Sequence, residues 1–235
     1  MSTSTSTITR PVTVARDWSG ESRYVFHLPL RIIHWTIFFS VIGLSITGYW
    51  IGSGNLPAGP GGVFQMGWIR YWHTVLGWIF AAAILGRIFL FFIGSEFERW
   101  DHFVPYRKKD WQDIKKVFQY YTGLAARYPH MEFGHNRLAA ATYLAVYFLL
   151  LLMVISGLAL HAMAFPIGWQ YWLQWPLLFV TAPHLRLFHH MGMYLIWGFV
   201  AHHVASAVLV DHEKRGGVLS GIFSGYNIVC TRGKH

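Results

Sequence analysis

Four stretches of this sequence are long and apolar enough to cross a lipid bilayer, and they constrain the fold more than any other feature. A membrane-spanning helix needs about 20 predominantly apolar residues because the hydrocarbon core is about 30 Å thick. Inside lipid the backbone must satisfy its own hydrogen bonds, so each stretch is expected to form a helix. The predicted spans are residues 30–51, 69–93, 138–162 and 187–210. We therefore predict an all-α membrane protein, a four-helix bundle in which residues 1–235 form a single domain.

The distribution of Lys and Arg predicts the orientation of these helices. Basic residues accumulate in the cytoplasmic flanks of membrane helices. They are concentrated before the first span, in the loop between the second and third spans, and in the C-terminal tail, whereas the opposite side offers only Arg70 and Arg186. Both termini are therefore predicted to be cytoplasmic. The net charge of +9 follows from this topology, so we expect no nucleic-acid partner.

Three segments outside the spans have patterns of their own. Residues 1–23 are rich in Ser and Thr and are predicted to be disordered. Residues 110–128 repeat apolar side chains at helical spacing, which predicts an amphipathic helix on the cytoplasmic headgroups or, alternatively, a soluble cap on the loop. Residues 165–183 are rich in aromatic side chains but are interrupted by proline. That pattern favours an interfacial segment, or a docking surface for an outer partner, over a fifth span.

The fourth span contains two histidine pairs, His189–His190 and His202–His203. Ionisable side chains inside a membrane are costly, and they usually mark a functional pathway in the bundle interior. At about 100° per residue, only His189 and His203, fourteen positions apart, return to within about 40° of one face. Their Cα atoms would lie about 21 Å apart along the axis, which suits two stacked prosthetic groups and is too long for one metal ion. The alternative is two ordinary buried histidines bonded to backbone carbonyls.

The predicted topology supplies a partner for each of these two histidines. His34 begins the first span at the inner level, where His203 is expected, and His73 begins the second span at the outer level, where His189 is expected. The main rival to His34 is His135, which precedes the third span at the inner level. We predict two ligand pairs, one at each membrane surface.

Two axial imidazoles for each iron predict two haems b in the bundle interior. Such six-coordinate iron has no open position and suits electron transfer. Cys230 is the only cysteine and no C-x-x-C-H segment is present, so the haem is expected to be non-covalent. Gly77 and Gly192 lie on the ligand faces, where glycine admits either a flat macrocycle or close helix packing. Arg87, fourteen residues after His73, is predicted to face a haem propionate or a quinone, or to snorkel toward the inner headgroups.

Along nearly its whole length the sequence resembles the cytochrome b subunit of membrane-bound respiratory nickel–iron hydrogenases. The stretches that carry the resemblance are Tyr24–Gly52, Phe64–Phe80, Gly134–Asn136, His189–Met193 with His203, and Ser224–Tyr226. That family has one histidine on the first helix, one on the second and two on the fourth. The resemblance therefore implies that the axial ligands are His34, His73, His189 and His203. His190 and His202 leave the ligands on the fourth helix open by one position.

The resemblance also implies a function and a set of partners. The chain would lie in the bacterial cytoplasmic (inner) membrane and anchor the small (iron–sulfur) and large (nickel–iron) hydrogenase subunits on its outer face. It would pass electrons from the iron–sulfur subunit, across two haems b, to the quinone pool near the cytoplasmic face. The chain itself would hold no hydrogen-activating site, because it has neither the cysteines nor the carboxylate cluster for nickel and iron.

Two other functions are compatible with parts of the pattern. A related cytochrome b that serves another respiratory oxidoreductase, such as formate dehydrogenase, would have the same haems and topology with a different docked partner. A cation transporter would use intramembrane histidines as metal or proton sites, and would place them at one depth together with carboxylates. The predicted histidines lie at two depths, and no Asp or Glu occurs inside any predicted span.

Overall fold

The computed structural model describes residues 10–13, 18–54, 64–125, 137–214 and 217–232. Four of its helices are long and apolar enough to cross a membrane. They are α1 (Leu28–Ser53), α2 (Gln65–Ile93), α5 (Arg137–Ala164) and α6 (Ala182–Lys214). The prediction of four membrane helices is confirmed, and each helix extends beyond the apolar stretch that predicted it, by five residues at the start of α6.

Local chemistry sets where these helices begin and end. Pro29 and Pro183 lie in the first turns of α1 and α6, where the missing N–H and the fixed φ of proline suit a helix start. Gly54 follows α1 with a φ of 66°, and its N–H bonds to the carbonyl of Trp50. A glycine in this left-handed conformation ends helices without the Cβ penalty of other residues.

The spanning helices expose large apolar side chains and bury small or polar ones. Phe39, Leu85 and Phe148 are exposed, whereas Ser40 and Ser156 are buried. In water such an arrangement would be unfavourable, but lipid tails are as apolar as these side chains and solvate them. The described part of the chain is therefore a multi-pass membrane protein.

The chain divides into two compact units. One comprises the described residues within 1–32, 89–144 and 200–235, and the other comprises the described residues within 33–88 and 145–199. We call them the terminal unit and the central unit. All contacts below are contacts within one unit.

The terminal unit contains a three-stranded antiparallel sheet of order β1-β2-β3. Its strands are β1 (Arg10–Thr13), β2 (Trp18–Tyr24) and β3 (Tyr226–Arg232). The prediction of disorder over residues 1–23 is therefore wrong for the described part of that segment. The all-α class applies to the membrane helices and not to the chain ends. β1 pairs with its neighbour β2, but no local pattern shows the pairing of β2 with β3, which lies about 200 residues later in the sequence.

The motif Ser224–Tyr226 fastens the C-terminal tail to the segment before α1. Gly225 has a φ of 91°, and its carbonyl accepts the backbone N–H groups of Val25 and Phe26 at 2.9 and 3.0 Å. A Cβ on this glycine would overlap the Tyr24 ring, so the close approach needs glycine. These contacts and the β2–β3 ladder hold the described parts of the two chain ends together.

Two short helices and a longer one complete the terminal unit. They are α3 (Trp100–Phe103), α4 (Lys108–Tyr121) and α7 (Val218–Ser224). The helix predicted in the loop after α2 is thus confirmed as α4. Asp110 is buried near its start, where one carboxylate oxygen lies 3.1 Å from Arg137 Nε, and Val117 is fully buried two turns later on the same face. The exposed apolar side chains are Trp111, Phe118, Tyr121 and Leu124. Docking of this exposed face on cytoplasmic headgroups stays a prediction.

The aromatic segment between α5 and α6 forms a 3-10 helix, Gly168–Leu178, in the central unit. Gln174 Nε2 donates to the carbonyl of Ala162 at 2.9 Å, which ties the segment to the end of α5. The Trp169 ring lies 6.1 Å from that of Trp78 on α2. The prediction that this segment does not span is confirmed by its short 3-10 geometry. The partner of its exposed rings stays a prediction.

Candidate functional site

One buried stripe of α6 carries His189. In the central unit Leu185, Met193 and Ile196 are buried, at the three- and four-residue spacing that puts side chains on one helix face. His189 lies within this stripe, whereas its neighbours Leu187 and Phe188 are exposed. The face that the sequence assigns to this histidine is therefore the buried face.

His73 of α2 and His189 of α6 meet in the central unit, with ring centroids 6.5 Å apart and ring planes at 71°. Two metal–histidine bonds of about 2.0 Å, with each ligand nitrogen about 1.1 Å from its ring centre, would put the centroids of two axial imidazoles about 6 Å apart. The observed separation fits one iron between the two rings. Two imidazoles joined by a direct hydrogen bond would have their centroids closer together than 6.5 Å, so such a bond does not explain why the rings meet.

The ring of His73 is oriented by Thr47 of α1. Thr47 Oγ1 lies 2.8 Å from His73 Nδ1 and 2.7 Å from the carbonyl oxygen of Gly43. The single hydroxyl proton is donated to that carbonyl, so the hydroxyl oxygen accepts the proton on Nδ1 of His73. This arrangement leaves Nε2 with its lone pair, which is the form that binds a metal.

The ring of His189 is oriented in the same way by Ser156 of α5. Ser156 Oγ lies 2.8 Å from His189 Nδ1 and donates to the carbonyl of Leu152 at 2.7 Å. The His189 Nδ1–H therefore donates to the serine oxygen, and its Nε2 is also left as a lone pair. Two neighbouring helices thus prepare the two histidines as a matched pair of neutral ligands.

Two glycines lie beside these imidazoles. A Cβ added at Gly48 would lie 3.2 Å from His73 Cε1, and one added at Gly157 would lie 3.1 Å from His189 Cε1. Both distances are shorter than ordinary van der Waals contact, so a larger residue would displace the ring. The glycines let each ring lie close against a neighbouring helix.

Gly77 and Gly192, the two glycines on the predicted ligand faces, differ in the space around them. A Cβ at Gly77, one turn after His73, would have no heavy atom within 4 Å, so the space beside this glycine is open. A Cβ at Gly192 would overlap the sulfur of Met153. Gly192 therefore serves close packing of α5 against α6, which is the alternative that the sequence left open.

His190 occupies a different place from His189. Its Nε2 is buried and has no hydrogen-bond partner among the described residues. The same atom packs against Gly52 near the end of α1, where a Cβ would overlap it. Of the two neighbouring histidines, only His189 has its Nδ1 held and its ring directed at His73.

His203 lies in the terminal unit. Its Nδ1 lies 3.2 Å from the hydroxyl of Tyr143 on α5, and the two rings meet edge to face with centroids 5.6 Å apart. His203 is half-buried, whereas His202 is exposed. This difference supports His203 as the ligand of the pair.

His34 lies in the central unit, where its ring meets the edge of the Trp35 ring at 5.3 Å. Since His34 and His203 belong to different units, their pairing stays a prediction. The rival of His34, His135, lies outside the described residues.

Arg87 is buried on the same stripe of α2 as Phe80 and Ile84, and it is only 3% exposed. Its guanidinium lies over the ring of Tyr147 on α5, 4.7 Å from the ring centroid, a cation–π contact. A snorkelling arginine would extend its head toward the surface. This side chain is instead directed into the central unit, as a partner for an anionic group would be.

Sequence reasoning missed the side chains that orient the histidines, namely Thr47, Ser156 and Tyr143. The predicted topology gives a partial signal. Thr47 and Ser156 both lie near the predicted outer ends of their helices, at the depth predicted for His73 and His189. Depth alone does not show which of several hydroxyls faces an imidazole. That depends on the rotation of each helix.

Comparison with known proteins agrees with this geometry. A sequence model described as prokaryotic cytochrome b561 matches residues 25–225. The chain is 33% identical over 220 residues to a protein of Cupriavidus necator, covering 91% of this chain and 90% of the relative, and 35% identical over 238 residues to one of Rhizobium leguminosarum bv. viciae, covering 94% and 97%. Both are named probable Ni/Fe-hydrogenase B-type cytochrome subunit. A protein of Escherichia coli K12, named probable Ni/Fe-hydrogenase 1 B-type cytochrome subunit, is 33% identical over 219 residues, covering 87% and 90%.

Proposed function

Since the chain belongs to the prokaryotic cytochrome b561 family, we propose that it is the haem b membrane anchor of a nickel–iron hydrogenase. In this proposal it is an electron-transfer subunit of a hydrogen:quinone oxidoreductase in the bacterial inner membrane. The hydrogenase small and large subunits dock on the outer face, and electrons leave to quinone near the cytoplasmic face. The hydrogenase names of the relatives favour this partner over formate dehydrogenase.

The observation that carries the proposal is the pair formed by His73 and His189. Their rings are 6.5 Å apart, and each Nδ1 is engaged by a hydroxyl that already donates to a carbonyl. Both Nε2 atoms are thereby available to one iron. Two histidines with only a structural role would not need a 6.5 Å separation between their ring centroids or the same tautomer on both rings.

We assign the outer haem to His73 and His189 and the inner haem to His34 and His203. When bound, haem b supplies one-electron chemistry by cycling between ferric and ferrous iron. The side chains of Thr47 and Ser156 fix the orientation and the tautomer of the two outer rings. An iron with two axial imidazoles would have no open coordination position and would be confined to electron transfer. The number of haems rests on the fourteen-residue spacing of His189 and His203. Arg87 is the proposed partner of a haem propionate or of quinone.

The transporter alternative has less support. A cation site needs several ligands at one depth, and within the described residues no group of three or more His, Cys, Asp or Glu side chains could hold a metal ion. His73 and His189 instead form a facing pair, which would suit axial ligation of an iron that a macrocycle holds.

Haem content of single variants tests the outer site. We expect His73→Ala and His189→Ala each to remove the outer haem and to spare the inner one. A pyridine haemochrome assay of the purified complex should then show about half the wild-type haem, on the two-haem assignment. His202→Ala, an exposed histidine of the same helix, is the matched control and should keep full haem. Full haem in either outer variant contradicts the assignment.

Membrane potential tests the direction of electron transfer. Each elementary charge that crosses the full membrane against the potential stores about 2.3 kcal/mol per 100 mV. In sealed liposomes that contain the whole complex, quinone and a potential-sensitive dye, hydrogen should generate a potential that is positive on the hydrogenase side. His203→Ala should abolish this potential without stopping hydrogen oxidation by a soluble dye. Full-rate quinone reduction with no potential would mean that quinone is reduced on the outer side.

A further inference from the structure

A buried carboxylate lies just beyond the end of α2. Glu98 is only 3% exposed, and among the described residues the other buried acidic side chain is Asp110, which pairs with Arg137. Carboxylates are almost never fully buried unless they are paired. Glu98 is therefore expected to be held by neighbouring groups.

Glu98 accepts a backbone hydrogen bond and approaches one histidine. Its Oε2 accepts the N–H of Ser95 at 3.0 Å, and its Oε1 lies 3.3 Å from His27 Nδ1. A Cβ at Gly94 would overlap the Glu98 side chain, so glycine at this turn admits the carboxylate. The Tyr24 ring meets the His27 ring edge to face at 5.0 Å.

The two members of the pair differ in their access to solvent. The His27 side chain is 43% exposed, whereas that of Glu98 is 3% exposed. An imidazole that is open to water on one side and faces a carboxylate on the other can pass a proton between them.

The location of the pair suggests what consumes the proton. His27 immediately precedes α1, seven residues before His34, and Glu98 follows α2, eleven residues after Arg87. By the predicted topology this is the cytoplasmic end of both helices, the level of the proposed inner haem. We propose that His27 and Glu98 form a proton relay that supplies quinone reduction from the cytoplasm, an inference that rests on the proposed function.

The chemistry balances with the electrons that hydrogen provides. Hydrogen oxidation in the partner subunits yields two electrons and two protons on the outer side, and quinone takes up two electrons and two protons to become quinol. For each proton, the O–H bond of protonated Glu98 breaks as a quinone O–H bond forms. The carboxylate is then reprotonated by the imidazolium of His27, which takes its proton from cytoplasmic water. Two such transfers complete one quinol.

The decisive variant is Glu98→Gln in the whole complex. The glutamine oxygen can still accept the Ser95 N–H, but the amide cannot carry a proton in this pH range. We expect hydrogen:quinone turnover to fall at least tenfold, with unchanged haem content, unchanged haem reduction by hydrogen without quinone, and unchanged hydrogen oxidation by a soluble dye. Glu96→Gln is the matched control, because Glu96 lies two residues away with a 65% exposed side chain. It should leave all four quantities unchanged.

A second variant separates proton transfer from a structural role. His27→Ala should slow quinone turnover, and added imidazole should restore it toward the wild-type rate. A contact that only holds the loop would not respond in this way. Wild-type turnover in Glu98→Gln overturns the relay, as does a His27→Ala defect that imidazole leaves unchanged.

The wild-type complex distinguishes failure of the relay from failure of the proposed function. A pH-sensitive dye trapped on the cytoplasmic side should report alkalinisation during turnover with hydrogen and quinone. If wild type reduces quinone without this uptake, the inner quinone site itself is wrong. If uptake occurs and Glu98→Gln is normal, only the relay is wrong.

Discussion

Replacement of Thr47 by valine tests whether the Thr47 hydroxyl orients the ring of His73. Valine keeps the shape of threonine but puts a methyl group where the hydroxyl stands. The Nδ1–H of His73 then loses the hydroxyl oxygen at 2.8 Å and keeps the carbonyl of Leu44, whereas the carbonyl of Gly43 keeps its helical hydrogen bond. The change therefore affects the imidazole and leaves the course of α1 intact.

Two independent magnitudes give the expected size of this effect. Loss of one hydrogen bond at a buried group costs about 0.5–1.5 kcal/mol. Removal of a second hydrogen-bond partner behind a metal-bound histidine lowers metal affinity about 10- to 100-fold, which corresponds to about 1.4–2.8 kcal/mol. The two ranges meet near about 1.4 kcal/mol, so we expect Thr47→Val to weaken haem binding at the outer site about tenfold.

Haem transfer from the purified complex to a soluble haem-binding protein measures this change. The outer haem of Thr47→Val should be lost faster or held more weakly by that factor, and the inner haem should be unaffected. Thr142→Val is the matched control, because the Thr142 hydroxyl donates to the carbonyl of Leu138 at 2.9 Å in the same intrahelical way. Outer-haem affinity within twofold of wild type, or an equal loss in the control, would refute the reasoning.

The other predictions concern neighbouring positions. Ser156→Ala should weaken the outer haem as Thr47→Val does, whereas Ser206→Ala, whose hydroxyl bonds only within α6, should not, by the same transfer assay. His203→Ala should lose one spectral component of the reduced-minus-oxidised difference while His202→Ala keeps both; the reverse result would place the ligand one position earlier. Gly157→Ala should alter the electron paramagnetic resonance of the outer haem without loss of haem, because its Cβ would press on an axial ring at 3.1 Å. An unchanged resonance would mean that this ring is not an axial ligand.

The sequence by itself determined the membrane helices and the face of the fourth helix that matters. Both follow from local periodicity: an apolar stretch of fixed length spans lipid, and positions fourteen apart return to one face. The structure confirms the four helices and places His189 on the buried stripe of α6. The family was also recognisable from the sequence, because several short motifs occur together in the expected order.

Only the tertiary structure decided which groups hold the histidines and how the chain ends are arranged. Whether Thr47 or another hydroxyl meets His73 depends on how α1 is rotated and shifted along its axis against α2. Neither helix's sequence specifies that rotation or that shift. The central strand of the sheet pairs on one side with a strand about 200 residues away. Residues 10–24 alone therefore resemble a disordered tail. Local periodicity fixes one element at a time, whereas contacts between elements depend on packing of the whole chain.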